Sequence, residues 1–216
     1  MVELDAAHIR DALARLRASQ ATVFGADSHQ FLLNPTLAEA DVLAFERLHN
    51  VLLPAEYRHF LTTIGNGGAG PYYGIFPLGE MDDNHSLAAW QEQGDVIGVI
   101  SEPFSLETEW NDLAGMPPDQ LLEADTAEYE RQWDEFTERY WHPSLMNGAV
   151  PICHEGCALR VWLVLTGVQA GRLWHDGRSD FTGVKPLRLA DGSHATFSLW
   201  YNEWLEQALR ASEATR

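Results

Sequence analysis

The sequence predicts an α+β fold, in which helices pack against a mostly antiparallel central sheet. Residues 3–17, 36–52 and 55–64 carry apolar side chains at helical spacing, a loop covers residues 19–35, and helical spacing returns from about residue 198. Short apolar runs typical of strands lie between them, within residues 72–175. Helices therefore come first, strands follow and a helix closes the chain. Parallel α/β folds alternate the two instead, so this order favours the α+β class.

Three helices are expected before the first strand. The first covers residues 3–17. The second begins at a capping-box pattern formed by Thr36 and Glu39, and it ends before Pro54, which cannot continue a helix. The third covers residues 55–64 and stops at a run of glycine and asparagine that tolerates left-handed backbone. The residues expected in the core here are Leu53, Tyr57, Phe60 and Leu61.

The middle of the chain is expected to contain two short strands and a fourth helix. The strands are placed at residues 72–78 and 96–100, and the helix begins near Pro117. Aromatic residues in this helix recur at i, i+4, i+7 and i+11, which predicts one buried stripe. The members of that stripe are Tyr129, Trp133, Phe136 and Tyr140.

The last third of the chain predicts a hairpin and a closing helix. Residues 158–165 form a near-continuous apolar run, which indicates a central strand buried on both faces. After a glycine-bounded turn, residues 172–175 are the returning strand. The closing helix begins near Ser198. Its aromatic residues, with those of the hairpin, are expected to pack in the core, namely Trp174, Trp200 and Trp204.

Charge restricts the classes of partner. The 216 residues carry a formal net charge of −18. A field of this sign repels phosphate backbones and anionic lipid, which argues against nucleic-acid binding and membrane anchoring and favours cationic partners. The acidic N-terminal residues 1–5 lack the positive charge of a signal peptide, and the longest purely apolar run is residues 161–165. We therefore expect a cytoplasmic protein that binds neither nucleic acid nor membrane.

Several motifs follow one another in a specific order. The amphipathic helix at 36–46 precedes Leu53-Pro54, and the third helix ends in Asn66-Gly67-Gly68. The apolar strand at 159–165 is then followed by Gly-Arg-Leu-Trp at 171–174. The closing helix carries the pattern Phe197-x-x-Trp200-Tyr201-x-x-Trp204-Leu205. Over roughly residues 34–209, this order and spacing resemble the SUKH superfamily, which includes the fungal cell-wall synthesis regulator and many bacterial toxin-immunity proteins.

The resemblance implies a fold, a domain division and a class of function. It implies a SUKH-like domain over residues 34–211, with an acidic helical insertion at about 80–140 and an N-terminal helix-and-loop extension at 1–33. The roles it implies are binding roles, namely neutralising a toxin domain or scaffolding. The superfamily offers no shared catalytic residues, so we expect no enzyme and no cofactor. We expect a monomer or a weak homodimer.

The acidic middle is the most informative feature for function. Residues 80–140 contain seventeen acidic residues but only two basic ones, Arg131 and Arg139. Each arginine can pair with only a few carboxylates on its own helix. The remaining charge is either a solvated face that keeps the protein soluble or a docking surface for a basic partner, such as a nuclease toxin. The candidate partner-binding residues are Trp90, Glu107, Glu109, Trp110, Asp112, Glu123, Asp125, Glu128, Glu130, Asp134 and Glu135.

The run Cys-His-Glu-Gly-Cys at 153–157 is the one cluster that suggests enzyme chemistry. Its thiols and imidazole are zinc ligand types, but a structural site needs four ligands, and only His142 or His175 could complete it. On a strand, neighbouring Cys153 and His154 would point to opposite faces. The alternative is that Cys157 enters a buried strand as a small hydrophobic residue. We expect no metal site here.

Three functions follow from these observations. The favoured one is a non-enzymatic immunity protein that neutralises a cognate, basic toxin. The second is a regulatory or scaffolding interaction module. The third is a hydrolase or zinc-dependent enzyme that uses the Cys153 and His154 region.

Overall fold

A computed structural model describes residues 4–19, 22–81, 85–86 and 97–214. Within these ranges the chain forms seven α-helices and a four-stranded antiparallel sheet, which confirms the predicted α+β class. The helices are α1 (Ala6–Ser19), α2 (Ala26–His29), α3 (Glu39–His49), α4 (Ala55–His59), α5 (Asp119–Ala124), α6 (Thr126–Tyr140) and α7 (Phe197–Ala214). The strands are β1 (Glu80–Met81), β2 (His85–Ser86), β3 (Ala149–Gly156), β4 (Leu159–Val164), β5 (Leu173–Asp176) and β6 (Val184–Pro186).

The first three predicted helices are present as α1, α3 and α4, and α4 continues as a π-helical turn, Phe60–Ile64. The predicted capping box is wrong. Helix α3 begins at Glu39, its N-cap is Ala38, and no side chain caps it. The Glu39 carboxylate instead accepts a hydrogen bond from Arg58 of α4, so a tertiary contact replaces the local one.

The central sheet is an antiparallel meander in the order β3-β4-β5-β6. Trp162 lies directly opposite Trp174, and His175 lies directly opposite Lys185. Because neighbouring residues of a strand point to opposite faces, the two tryptophans occupy one face and the His175–Lys185 pair occupies the other. The hairpin predicted at 158–165 and 172–175 is therefore confirmed as β4 and β5.

Two predicted strands are wrong. Residues 72–78 form turns, with a single bridging residue, Ile75, that pairs with Gly68 and Cys153. Positive φ angles at Tyr72 and Gly74 interrupt any strand there. Residues 97–100 are not a strand, and residue 96 lies outside the described part of the chain.

The helix predicted from Pro117 is two helices, α5 and α6, separated at Asp125. Asp125 has an extended backbone, and its carboxylate accepts a hydrogen bond from the Glu128 N–H at 3.1 Å. Asp125 therefore acts as the N-cap of α6, which satisfies an amide that has no partner within the helix.

The core combines both sheet faces with the flanking helices. Trp162 and Trp174 are fully buried. The four residues predicted to be core in the α3–α4 region are buried, as are Trp174 and Trp200, while Trp204 is half-buried. Beyond β6, Trp110 exchanges two backbone hydrogen bonds of 2.8 Å with Val184, so the acidic middle of the chain covers one edge of the sheet.

Candidate functional site

The long helix α6 presents two contrasting faces. Phe136 and Tyr140 are buried, and Tyr129 and Trp133, on the same stripe, are half-buried. Glu130 and Asp134 are exposed and four residues apart, so they lie on one solvent-facing side of the helix. We define the acidic helix surface as the candidate residues on α5, α6 and the junction between them. These are Glu123, Asp125, Glu128, Glu130, Asp134 and Glu135, and all but half-buried Glu128 are exposed.

Two arginines organise part of this charge. Arg131 contacts Glu128 and Glu135, each at 2.5 Å, and thereby links two carboxylates that lie about two turns apart on the helix. Hydrogen bonds from Arg131, and then from Gln132, lower the pKa of Glu128 to about 2. Glu123, Glu130 and Asp134 form no ion pair with any part of the chain that the structure describes. The surface therefore keeps most of its negative charge.

The candidate residues before α5 have different surroundings. Arg139 forms an ion pair with Asp112 and donates to the Ala114 carbonyl, which ties residues 112–114 to the last turn of α6. Trp110 is half-buried and packs on Tyr140, with ring centroids 5.3 Å apart. It is therefore part of the packing beneath the helix. Trp90 lies outside the described residues.

Glu107 and Glu109 do not join the acidic helix surface. Both line a pocket of about 670 Å³. Its other charged or titratable side chains come from the turn that precedes β1, from β3, β5 and β6, and from the residues that follow β6. These are Tyr72, Glu155, His175, Lys185, Arg188 and His194. Sequence reasoning missed this pocket because its lining residues span 72–194; only the paired spacing of the strands brings them together.

A buried carboxylate lies on the wall of this pocket. Glu155 Oε2 is 2.6 Å from His175 Nδ1, and the Tyr72 hydroxyl donates a second hydrogen bond to Glu155. Burial, and then the charge of Glu155, raise the pKa of Tyr72, so this hydroxyl remains a donor. The Glu155 carboxylate is thus satisfied by partners within the chain.

The two cysteines occupy opposite environments. Cys153 is buried, and its thiol donates to the Pro71 carbonyl at 3.3 Å. Burial, and then Glu155, raise the pKa of this thiol. Cys157 is exposed, so the expectation that it enters a buried strand is wrong. Gly156, Cys157 and Ala158 all have positive φ, and they form the tight turn between β3 and β4.

No group of three or more His, Cys, Asp or Glu side chains in the described ranges has an arrangement that could hold a metal ion. His154 packs on Tyr73, with ring centroids 5.2 Å apart. None of the helices that the structure describes has both the length and the apolar character needed to cross a bilayer.

Comparison with known proteins agrees with the motif order. The family described as SMI1 / KNR4 family (SUKH-1) matches residues 36–175, from just before α3 to β5. No curated protein and no solved structure matches the chain significantly. Membership in this family fits an immunity or protein-interaction module. Because the match covers well over half of the sequence, the chain belongs to the SUKH-1 family.

Proposed function

We propose that this chain is a cytoplasmic immunity protein that binds and neutralises a basic toxin domain without transforming a substrate. The observation that carries the proposal is the acidic helix surface, where exposed carboxylates lie on the outer side of a helix anchored by a buried aromatic stripe. Family membership supports the protein-interaction role.

The charge of this surface suits a nuclease toxin. A nuclease must be basic around its active groove because it holds phosphates. A negative surface attracts such a groove over a long range, which speeds association and blocks the path of the nucleic acid. The ion pairs of Arg131 with Glu128 and Glu135 hold those carboxylates in fixed positions, so less side-chain entropy is lost on binding.

The surroundings of Cys153 support a role without catalysis. A nucleophilic cysteine needs its thiolate form, which an electropositive and accessible site favours. The Cys153 thiol is buried and donates a hydrogen bond to a backbone carbonyl, and its pKa is raised. The thiol is therefore held in the protonated form.

The direct test begins with the reading frame immediately upstream of this gene, which we expect to encode the toxin domain. Co-expression should rescue growth of cells that produce this toxin, and the two purified proteins should form a stable complex. The scaffolding alternative would be favoured if the chain neither rescued growth nor bound the toxin domain, and instead captured an unrelated endogenous complex stably.

Two triple charge-reversal variants test whether the acidic helix surface is the binding surface. The triple variant Glu123→Lys, Glu130→Lys and Asp134→Lys changes three exposed carboxylates that lack ion pairs in the described structure. We expect its association rate with the toxin domain to fall by at least about tenfold at low salt, with a flatter salt dependence. The matched control reverses three exposed acids elsewhere, namely Asp11, Asp27 and Asp41. Equal slowing by both triples would show that net charge alone acts, and it would contradict the proposed surface.

A further inference from the structure

The pocket that contains Glu107 and Glu109 adjoins a largely apolar groove. The groove has a volume of about 490 Å³ and shares Tyr72, Leu187 and Arg188 with the pocket. Its apolar lining comes from the loop before α2, from Pro71 and from α7. These residues are Val23, Phe24, Pro71, Trp200, Trp204 and Ala208, and the charged side chain of Glu203 also lines the groove. We call the adjoining pocket and groove the two-part cleft, with the pocket as its polar end and the groove as its apolar end.

The apolar end carries an exposed aromatic lip. Phe24 is 65% exposed and packs edge-on against Tyr72, with ring centroids 6.3 Å apart. Tyr72 belongs to both halves of the cleft and has a positive φ of 52°. An exposed phenyl ring beside a tryptophan-lined groove favours a ligand with an apolar body.

The polar end contains two basic groups, Lys185 and Arg188, beside the carboxylates of Glu107, Glu109 and Glu155. Lys185 is the only lysine in the sequence, and it lies opposite His175 across the β5–β6 pair. Neither Lys185 nor Arg188 forms an ion pair with the residues that the structure describes, whereas Arg58, Arg131, Arg139 and Arg178 all do. The two basic groups therefore remain available to a ligand.

His194 lies close to the basic groups at this end of the cleft. Burial, and then the charges of Arg188 and Arg172, lower the pKa of His194. The Arg188 guanidinium donates to the Gly192 carbonyl at 2.9 Å, which holds it at this end of the cleft.

The carboxylates of the pocket limit how much negative charge a ligand can bring. Glu155 is satisfied by His175 and Tyr72, so it does not compete for the two cations. Glu107 and Glu109 are exposed and line the same pocket, where they would repel a second negative charge on the ligand. A ligand with one negative charge fits this balance better than a phosphate dianion.

We propose that the two-part cleft binds a small monocarboxylate with an apolar body, whose carboxylate contacts Lys185 and Arg188 and whose body occupies the groove beside Phe24. This site is separate from the acidic helix surface. No residue of that surface lines either half of the cleft.

Calorimetric titration of the full chain tests the charge requirement. Decanoate, below its micelle-forming concentration, should bind at one site. Decanol, which has the same chain without the charge, should bind at least about tenfold more weakly, since a charge-assisted contact is lost. Decanol binding as tightly as decanoate would mean apolar adsorption only and would overturn the proposal. Tighter binding of decyl phosphate dianion would overturn the preference for a single charge.

Variants then locate the site. Lys185→Met and Phe24→Ala should each weaken decanoate binding by about tenfold or more, and both side chains are exposed, so the fold should tolerate the changes. The matched control is Arg210→Met, which removes an exposed cation that lines neither half of the cleft. Wild-type affinity in Lys185→Met would overturn the proposal.

The single lysine allows a second readout. An amine-acylating reagent can modify only Lys185 and the N-terminal amine, so peptide mass spectrometry reports on one side chain. Decanoate should slow acylation of Lys185 and leave the N-terminus unaffected; equal rates with and without decanoate would contradict the site. The Glu123, Glu130 and Asp134 triple reversal should still bind decanoate, so failure of the toxin-binding proposal and failure of this one are distinguishable.

Discussion

The two cysteines of this protein should differ in thiol reactivity because one is buried and the other is exposed. Cys153 is buried under the Pro71 carbonyl, whereas Cys157 lies exposed in a turn only four residues later. A thiol reacts faster when it is accessible to the reagent and when a larger fraction of it is in the thiolate form. The pair therefore provides an internal comparison of two thiols within one strand and its turn.

We expect a maleimide to label the native protein once, at Cys157, and to label it twice after unfolding in denaturant. The Cys157→Ser variant should show almost no native labelling, and Cys153→Ser should label like the wild type. Mass spectrometry counts the adducts. Rapid native labelling of Cys153 would mean that its thiol is accessible and would reopen the enzyme alternative.

A buried ion pair connects β5 to the turn that follows. Arg178 is fully buried, its guanidinium donates two hydrogen bonds to Asp176 at 2.9 and 2.7 Å, and it lies 4.9 Å from the centre of the Trp141 ring. Removing one partner of such a pair leaves an uncompensated charge in the interior.

Asp176→Asn should therefore lower the free energy of unfolding by about 3–5 kcal/mol, measured by denaturant titration. The comparison variant Glu135→Gln breaks an exposed pair with Arg131 and should change stability by less than about 1 kcal/mol. Similar losses in the two variants would mean that the Asp176 pair is solvated.

At the scale of elements, the outer helix α6 depends on one local contact for its start. Asp125 ends α5 and caps α6, so it defines the angle at which the acidic helix surface is presented. The aromatic stripe then fixes that helix against residues 181–184, for example through Phe136 and Phe181, whose ring centroids are 6.2 Å apart.

Asp125→Ala should lower the free energy of unfolding by about 0.5–2 kcal/mol, because the Glu128 amide loses its acceptor. The control Glu130→Ala removes the same charge from the exposed middle of α6 and should change stability by less than about 0.5 kcal/mol. Thermal unfolding followed by circular dichroism distinguishes the two. Equal changes in stability would show that the loss of a negative charge, and not the loss of the N-cap, causes the effect of Asp125→Ala.

For the whole molecule, histidine burial makes stability depend on pH. Burial lowers the pKa of His29, His49 and His194, and His29 is the most buried of these. The unfolded chain gains protons at these sites near pH 6.5, while the folded chain resists protonation there. The unfolded state therefore binds more protons as pH falls, so folding stability decreases below about pH 6.5 and is retained above it.

We expect the denaturant midpoint to decrease as the pH is lowered from 7 to 5. In His29→Gln the midpoint should change less steeply with pH. The His29 ring also accepts the Phe31 N–H at 3.0 Å, so the variant should be less stable at pH 7, and the slope is the diagnostic quantity. A slope identical to that of the wild type would exclude His29 as a contributor.

Local periodicity explains which elements were predictable. Helices α1, α3, α4 and α7 and the β4–β5 hairpin follow from apolar spacing, because spacing reports which side chains face the core. Strands β3 and β6 were not predicted. Each contains a proline, Pro151 or Pro186, and β6 has only three residues, so neither has a clear alternating pattern.

The outer face of α6 could be read from the sequence, because an amphipathic helix displays its exposed side in its own periodicity. Membership of the SUKH-1 family could also be read from motif order. The sequence did not predict that Glu107 and Glu109 lie apart from the acidic residues of α6. It also did not predict the Arg139–Asp112 pair, the burial of Cys153 or the cleft around Lys185. These depend on which distant residues the strand register and turns bring together, and contacts of that kind leave no signal in local spacing.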